Sequence, residues 1–307
     1  MLAIVNTPGS GSPVEICQVD EPEAAPDEAV VEVRAFSLNR GELLLLANRP
    51  EGWRPGQDVS GVVLREAKDG SGPAEGSRVM GLVDQAGWAE RVSVPTSQLA
   101  PLPDEVSFAQ AATLPMAGLT ALRALRLGGS LLGSKVLITG AAGGVGRFAV
   151  QLAASAGASV TGVARSPERA EGLEDLGASE TVATIEEAEG PFDLILEAVG
   201  GASFEEALRL VGPKGTVVSF GNSSGERAGF DFFDHMRLYP DGAKLHIFFY
   251  SDGQESFGPD LARLVSLVAS GRLTPNIGAE SSWRNLERVL DELRERKVNG
   301  KAVFHPA

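Results

Sequence analysis

The sequence predicts an α/β protein with two domains, one rich in short strands and one built on a parallel sheet. Its length of 307 residues favours two domains over one. Short runs of β-forming residues, broken by Gly and Pro, fill the first third of the chain. Farther along, strands alternate with helices, which is typical of a parallel sheet with crossover helices.

The first domain is predicted from its strands and the turns between them. A turn-rich segment at 68–76 separates two of these strands. The predicted strands are 29–35, 57–64, 78–83 and 90–94. Many short strands with frequent turns favour a barrel or a sandwich.

The pattern changes near residue 104, where helical spacing predicts a helix over 104–127 with Ser107 as N-cap and a break at Gly118. The second domain follows. Its predicted strands are 135–139, 159–164, 181–183, 193–197 and 215–220, and its predicted helices are 144–156, 167–176 and 203–210. The chain is then predicted to form helices at 260–270 and 283–297 and a strand at 301–304. We expect this tail to pack back onto the first domain.

The net charge of −14 and the pI of about 4.8 argue against binding to nucleic acid or an anionic membrane, because both would be repelled. Cys17 is the only cysteine, so no intramolecular disulfide can form. The first residues lack the basic and apolar regions of a signal peptide, and apolar runs elsewhere are too short to span a membrane. We therefore expect a soluble, cytoplasmic protein.

A glycine-rich turn at 140–146 is the strongest local signal. It follows an apolar strand and opens into an amphipathic helix. The spacing Ala141-x-Gly143-x-x-Gly146, with Gly144 and Val145 inside it, is the dinucleotide fingerprint with Ala in the first position. Such a turn allows a pyrophosphate to approach the backbone amides at the helix N-terminus. The alternative is a turn that only connects strand and helix; a nucleoside triphosphate loop would need a following Gly-Lys-Ser/Thr, which is absent.

The segment after the second strand of this domain indicates which dinucleotide is bound. NAD-specific domains carry an acid there for the ribose hydroxyls. This chain has Arg165, Ser166 and Arg169 instead, which suit the 2′-phosphate of NADPH. The alternative is that Ser166 caps the next helix while both arginines are solvated.

Zinc chemistry is not expected. The zinc-dependent alcohol dehydrogenases need Cys and His ligands, but the strand-rich first third of the chain has one Cys and no His. The histidines, His235, His246 and His305, all come late and are not spaced as ligands. Reduction of a conjugated acceptor needs no metal, whereas oxidation of a simple alcohol without one is disfavoured.

An ordered set of short motifs runs along nearly the whole chain. The motifs are FSLNR at 36–40, PGQDVSGVV at 55–63, GWAE at 87–90, ATLPMAGLTA at 112–121, AAGGVG at 141–146, EAVGG at 197–201, FGNSS at 220–224 and GKAV at 300–303. Together they resemble the zinc-independent quinone oxidoreductase branch of the medium-chain dehydrogenase/reductase superfamily. The resemblance implies a GroES-like β-barrel catalytic domain over 1–116 and 256–307, a Rossmann domain over 117–255, and a cofactor in the cleft between them.

The resemblance also implies roles for single residues. Asn39 would face the nicotinamide and substrate, and Thr120 would contact the cofactor near its nicotinamide end. Further cofactor contacts are implied for Val199, Phe220, Gly221, Asn222 and Lys301. The alternatives are a turn residue at Asn39, a helix-interior hydroxyl at Thr120 and a plain loop at 221–224. Many relatives carry a tyrosine soon after the Asn39 motif, but both tyrosines here, Tyr239 and Tyr250, come late.

We therefore expect hydride transfer from NADPH to a small-molecule acceptor, a quinone or an α,β-unsaturated carbonyl, with the proton taken from solvent and Ser223 or Asn39 as a possible donor to the carbonyl. One alternative is an NADPH-binding sensor or scaffold without turnover. A short-chain dehydrogenase is disfavoured, because Tyr239 and Lys244 are five residues apart rather than four. By family analogy we expect a homodimer, with 216–220 and 245–250 as an intersubunit sheet edge or 245–250 as a buried strand.

Overall fold

The computed structural model describes residues 1–9, 11–229, 231, 233, 242–251 and 256–306. The chain forms two compact units, Met1–Leu119 with Gln254–Ala307, and Thr120–Gly253. The predicted boundaries were 116/117 and 255/256. No described helix has the length and apolar content that a membrane span requires.

The first unit begins with an antiparallel pair, β1 (Leu2–Asn6) and β2 (Val14–Gln18). The elements that follow are β3 (Glu28–Leu38), α1 (Arg40–Asn48), β4 (Asp58–Arg65), β5 (Arg78–Leu82), β6 (Arg91–Pro95), β7 (Leu99–Pro101) and α2 (Phe108–Ala112). Helix α3 (Pro115–Arg126) contains the boundary between the two units in the sequence.

The region predicted as one helix over 104–127 is two helices. Ser107 is the N-cap of α2, as predicted, and its hydroxyl accepts from Gln110 N at 3.1 Å. The predicted break at Gly118 is wrong, because the helix is interrupted before Pro115 and Gly118 lies inside α3. A Cβ at Gly118 would lie 3.0 Å from Leu264 Cδ1, so the glycine allows close packing rather than ending the helix.

The second unit is a parallel sheet with crossover helices. Its elements are β8 (Lys135–Ile138), α4 (Gly144–Ser155), β9 (Ser159–Val163), α5 (Pro167–Ala170), β10 (Glu180–Val182), β11 (Phe192–Glu197), α6 (Gly201–Leu210), β12 (Val211–Ser219) and β13 (Lys244–Ile247). The strand order β10-β9-β8-β11-β12-β13 is the 3-2-1-4-5-6 order of the Rossmann fold. Leu137, Phe192, Ile195 and Val217 are among its buried core residues.

Two predicted elements of the second unit differ from the structure. Helix α5 was predicted over 167–176, but it ends at Ala170 because Glu171 leaves the helical region and Gly172 has a φ of +75°. The segment 245–250 is not a buried strand. It contributes to β13, an edge strand in which Leu245 and Ile247 are 42% and 74% exposed.

The chain then returns to the first unit with α7 (Gly258–Ala269), β14 (Ile277–Ser282), a 3-10 turn at Trp283–Asn285, α8 (Leu286–Arg294) and β15 (Lys301–His305). The predicted helix over 283–297 is this turn followed by α8. As expected, β15 pairs antiparallel with β3, in a seven-stranded sheet ordered β14-β15-β3-β4-β5-β7 with β6 also on β3. Phe36 stacks on both Trp88 and Phe304, at 5.8 and 5.6 Å between ring centroids, which holds β15 against β3.

Candidate active site

The glycine-rich turn follows β8, one of the two central strands of the six-stranded sheet. Strand order reverses between β8 and β11, and ligands of open α/β sheets bind at the carboxyl ends of strands at such a point. Gly140, with a φ of +60°, makes the tight bend, one residue before the predicted position at Ala141. A Cβ at Gly146 would lie 2.4 Å from Gly140 O, so only glycine allows the helix to start this close to the turn.

Helix α4 begins after Gly143, which has no side chain to cap the helix. The backbone N–H groups of Gly144, Val145 and Gly146 therefore open the helix without a side-chain acceptor from the N-cap. Free amides at the positive end of a twelve-residue helix dipole suit an anion.

Glu197 organises the loop that follows β11. Its fully buried carboxylate accepts from Val199 N at 2.8 Å, from Gly200 N at 3.1 and 3.2 Å, and from Ser203 Oγ at 3.1 Å. These three donors, together with Thr139 Oγ1 at 3.3 Å, offset the cost of burying the carboxylate. Val199, a predicted cofactor contact, is thus tied by its backbone N–H to Glu197 at the carboxyl edge of the sheet.

The loop after β12 carries three further predicted contacts, Phe220, Gly221 and Asn222. It is bonded to the loop after β11, because Ser223 N donates to Ala198 O at 3.0 Å and Ser224 N donates to Val199 O at 2.8 Å. Phe220 N donates to Glu197 O at 3.0 Å. The Asn222 side chain is turned onto its own loop, where Oδ1 accepts from Gly225 N at 3.1 Å and Nδ2 donates to Glu226 O at 3.0 Å. Any contact between this amide and a cofactor stays a prediction.

The predicted phosphate residues follow β9. Arg165 is exposed, and Ser166 is the N-cap residue of α5 without a capping side-chain bond. Its hydroxyl is bonded to the Glu168 carboxylate, and this bond lowers the pKa of Glu168. A cavity of about 410 Å³ lies beside them, lined by Ser166 and also by Glu171, Glu174 and Asp175.

Sequence reasoning missed Arg147, which lies one residue after the turn and is only 5% exposed. Its Nη2 donates to Glu171 O at 2.9 Å, and its Nε lies 3.4 Å from Ala142 O. Burial lowers the pKa of its guanidinium. A cation is unfavourable at a helix N-terminus, so an arginine at this position was a signal that acceptors elsewhere in the fold hold it.

A second group of candidate residues lies in the first unit, where the ends of three neighbouring strands meet. Ser37 and Leu38 end β3, Asp58 begins β4, and Lys301 begins β15. The register pairs Ser37 with Asp58 and Leu38 with Ala302. We call Ser37, Asn39, Glu42, Asp58 and Lys301 the strand-end cluster.

Asp58 is the centre of the strand-end cluster and is fully buried. Its Oδ2 accepts from Ser37 Oγ at 2.6 Å, Asn39 Nδ2 at 2.8 Å and Lys301 Nζ at 3.1 Å. Its Oδ1 accepts from Met116 N at 2.7 Å. Lys301, 3% exposed, also donates to Leu38 O at 2.7 Å and Asn39 Oδ1 at 2.5 Å.

Glu42 lies on the first turn of α1 and is 1% exposed. Its carboxylate accepts from Asn39 N at 2.7 Å and Gln57 N at 3.0 Å. Burial, and then the charge of Asp58, raise the pKa of Glu42 to about 8, against the opposing effects of these hydrogen bonds and of Lys301. Sequence reasoning missed Glu42 and Asp58 because neither has a local pattern that reports burial.

The structure brings Asn39 and Lys301 into direct contact. The ammonium has three N–H donors and three acceptors, so a direct contact of Lys301 with a cofactor stays a prediction.

Thr120 lies in α3 and is buried. Of the histidines and tyrosines named from the sequence, His235 and Tyr239 lie outside the described residues. In the described part of the chain, no three His, Cys, Asp or Glu side chains come together as metal ligands.

Comparison with known proteins places these features in a family. A family model described as zinc-binding dehydrogenase matches residues 144–266. The quinone oxidoreductase of Pseudomonas aeruginosa is 30% identical over 305 residues, which cover 92% of this chain and 93% of that protein. The spectinabilin polyketide synthase protein NorB of Streptomyces orinoci is 34% identical over 87% of this chain, but the chain spans only 13% of NorB.

Solved structures show the same fold. The quinone oxidoreductase of Escherichia coli, determined in complex with NADPH, superposes with a TM-score of 0.89 over the full length of both chains. Its sequence identity is 22%, so this likeness concerns the fold alone.

Proposed function

The chain belongs to the quinone oxidoreductase-like branch of the medium-chain dehydrogenase/reductase superfamily and is an oxidoreductase, and we propose that it uses NADPH to reduce electron-poor conjugated carbonyl compounds. The acceptors proposed are quinones and α,β-unsaturated carbonyls. The observation that carries the proposal is the glycine turn at the switch point of a six-stranded sheet in Rossmann order. The name of the Pseudomonas relative supports the quinone class.

The residues of the turn fit a dinucleotide. Because Gly143 and Gly146 present no Cβ, a pyrophosphate can approach the amides that open α4. When bound, the reduced nicotinamide supplies a hydride. The loops after β11 and β12, held by Glu197, would border it along the carboxyl edge of the sheet.

The chain's own contribution to the reaction is orientation and hydrogen bonding. Asn39 is the partly exposed member of the otherwise buried strand-end cluster and can face an acceptor. No tyrosine precedes Tyr239 in the sequence, so we assign the proton to solvent. A quinone tolerates this because conjugation stabilises its reduced oxyanion before protonation.

The preference for NADPH is supported by Arg165 and Arg169 and by the absence of an acid at residues 164–166, directly after β9. Glu168 lies between the two arginines and is bonded to the Ser166 hydroxyl. Glu171, Glu174 and Asp175, which line the nearby cavity, oppose a phosphate. We give more weight to the arginines, because a guanidinium can bond a phosphate directly, whereas solvent screens exposed carboxylates.

A side-by-side titration with NADPH and NADH, followed by nicotinamide fluorescence, tests the cofactor. We expect tighter binding of NADPH, and we expect Arg165→Ala to weaken NADPH about tenfold while NADH binding is unchanged, since a charge-assisted hydrogen bond contributes about 1.5–3 kcal/mol at most. Arg284→Ala, which removes an exposed arginine of the first unit, is the control. Equal affinities for the two cofactors would refute the phosphate assignment.

Turnover is tested by steady-state NADPH oxidation with a panel of benzoquinones, naphthoquinones and simple enones. We expect oxidation to depend on acceptor and to saturate with its concentration. NADPH binding without oxidation by any acceptor would refute the enzyme and favour a binding protein without turnover.

We also propose that the chain forms a homodimer through the outer edge of β13. Among the described residues β13 pairs only with β12, and its outer surface exposes Leu245 and Ile247, with Phe249 next to it. An apolar edge strand in water favours pairing with another strand. Light scattering should show a dimer that Ile247→Lys dissociates and that Leu132→Lys, at an exposed leucine elsewhere in the unit, leaves intact. A wild-type monomer would refute this proposal.

A further inference from the structure

The orientation of the Asn39 side-chain amide is determined by its two partners. Oδ1 lies 2.5 Å from Lys301 Nζ, and Nδ2 lies 2.8 Å from Asp58 Oδ2. An ammonium can only donate and a carboxylate can only accept. The reversed amide would therefore place its N–H groups against the ammonium and its oxygen against the carboxylate. The amide therefore has one stable orientation.

The two charged partners are themselves fixed. All three N–H groups of Lys301 are used, and both oxygens of Asp58 accept hydrogen bonds. A buried ion pair contributes little net stability compared with apolar residues of the same volume. What this pair does, in contrast, is hold one amide at the partly exposed border of the cluster.

One N–H of Asn39 remains after these bonds. Among the described residues its Nδ2 has a single acceptor, Asp58, so the second N–H is available to a ligand. The Lys301 ammonium on Oδ1 withdraws electron density from the amide and strengthens this donor, as hydrogen bonds in a chain polarise one another.

We infer that Asp58 and Lys301 are positioning residues that act through Asn39, whose remaining N–H donates to the carbonyl oxygen of the acceptor. This inference rests on the proposed function. As hydride adds to the conjugated system, the electron pair of the C=O bond moves onto that oxygen, and the preset N–H stabilises the charge. Asn39 transfers no proton; solvent supplies it afterwards.

A double-mutant cycle separates this role from direct contact between Lys301 and the cofactor. We expect Asn39→Ala to lower the single-turnover rate of NADPH oxidation about 100-fold, the usual loss of one oxyanion donor. Lys301→Met should lower it at least about tenfold, with NADPH affinity within about twofold of wild type. In the Asn39→Ala background, Lys301→Met should lower it no further, because it acts only through Asn39.

Lys297→Met is the matched control, because Lys297 is an exposed lysine paired with Glu295 on the same segment, and it should leave the rate unchanged. Additive losses in the cycle, or a weakened NADPH affinity in Lys301→Met, would overturn the inference and leave the proposed function standing. If the wild-type chain oxidises NADPH with none of the acceptors tested, both the inference and the proposed function are overturned.

A measurement on the wild type covers the case in which Lys301→Met does not fold. The Asn39 side-chain amide is assigned by NMR through its loss in Asn39→Ala, and an unreactive phenolate, which resembles a reduced quinone oxygen, is titrated into the NADP⁺-bound protein. We expect one of the two amide protons to move downfield while the other, bonded to Asp58, stays in place. Unchanged protons with the phenolate bound would overturn the inference.

Discussion

The glycine turn and the strand-end cluster differ in how each is built. The turn uses seven contiguous residues, 140–146, and works mainly through backbone amides and missing side chains. The cluster joins residues from three segments between Ser37 and Lys301 and works through buried charges. A site made of backbone can be recognised from local spacing, whereas a site made of paired charges exists only once distant strands have come together.

The largest effect is expected in the strand-end cluster. Asp58→Ala leaves the Lys301 ammonium buried without its counterion and should lower the free energy of unfolding by about 3–5 kcal/mol. The double variant Asp58→Ala/Lys301→Met should recover part of this loss, which chemical denaturation measures. Asp104→Ala removes an exposed partner of Arg78 and should cost less than about 1 kcal/mol. Equal losses of stability in Asp58→Ala and Asp104→Ala would show that the buried position of the Asp58–Lys301 pair adds nothing to the cost of breaking it.

The next largest effect is a pH dependence of the free energy of unfolding, which the glycine turn does not have. The pKa of Glu42 is about 8 in the folded protein, above its ordinary value of 4.5, so the folded state binds this proton more tightly. The contribution of this proton to the free energy of unfolding is fully present below about pH 4.5 and is lost as the pH rises towards 8. Within that window it should fall by about 1.4 kcal/mol per pH unit.

Glu42→Gln removes this titration and serves as the reference. Urea denaturation of both proteins at about pH 5.5 and 7.5 gives the difference in their free energies of unfolding. This difference should change by about 2–3 kcal/mol between the two pH values. A gap that is the same at both pH values would show that Glu42 is ionised throughout.

A smaller effect is expected at the turn. Gly146→Ala places a Cβ 2.4 Å from Gly140 O and should lower stability by about 1–3 kcal/mol through overpacking. NADPH binding should weaken with it, because the amides that open α4 are displaced. Gly11→Ala is the matched control, since nothing lies within 4 Å of its Cβ. Fluorescence titration and thermal unfolding that show no change in Gly146→Ala would refute the close packing.

The smallest effect is expected at the cap of α2. Ser107→Ala removes one bond of the capping box and should lower stability by about 1 kcal/mol. Gln110→Ala removes the other bond and should have a similar or smaller effect, and denaturant titration measures both. A loss as large as that of Asp58→Ala would mean that local caps matter as much as the buried charges.

Much of the fold was predictable because its signals are local. The strands and helices of the second unit follow from periodicity and turn residues, and the Ser107 cap from one motif. Helix α1 was missed because four consecutive leucines after Glu42 give no clear amphipathic stripe, and β14 because IGAESS is a weak strand former. Gly118 was misjudged because its reason, close packing on Leu264, lies 146 positions away in the chain.

The sequence by itself determined the Rossmann order of elements, the glycine turn and the family, since each depends on residues near one another or on the order of motifs. Only the tertiary structure decided that Asp58 and Lys301 are a buried pair, that Glu42 holds its proton to about pH 8, and that the Asn39 amide has one orientation. The physical reason is that charge, pKa and amide orientation depend on desolvation and on partners, which folding supplies from segments far apart in the chain.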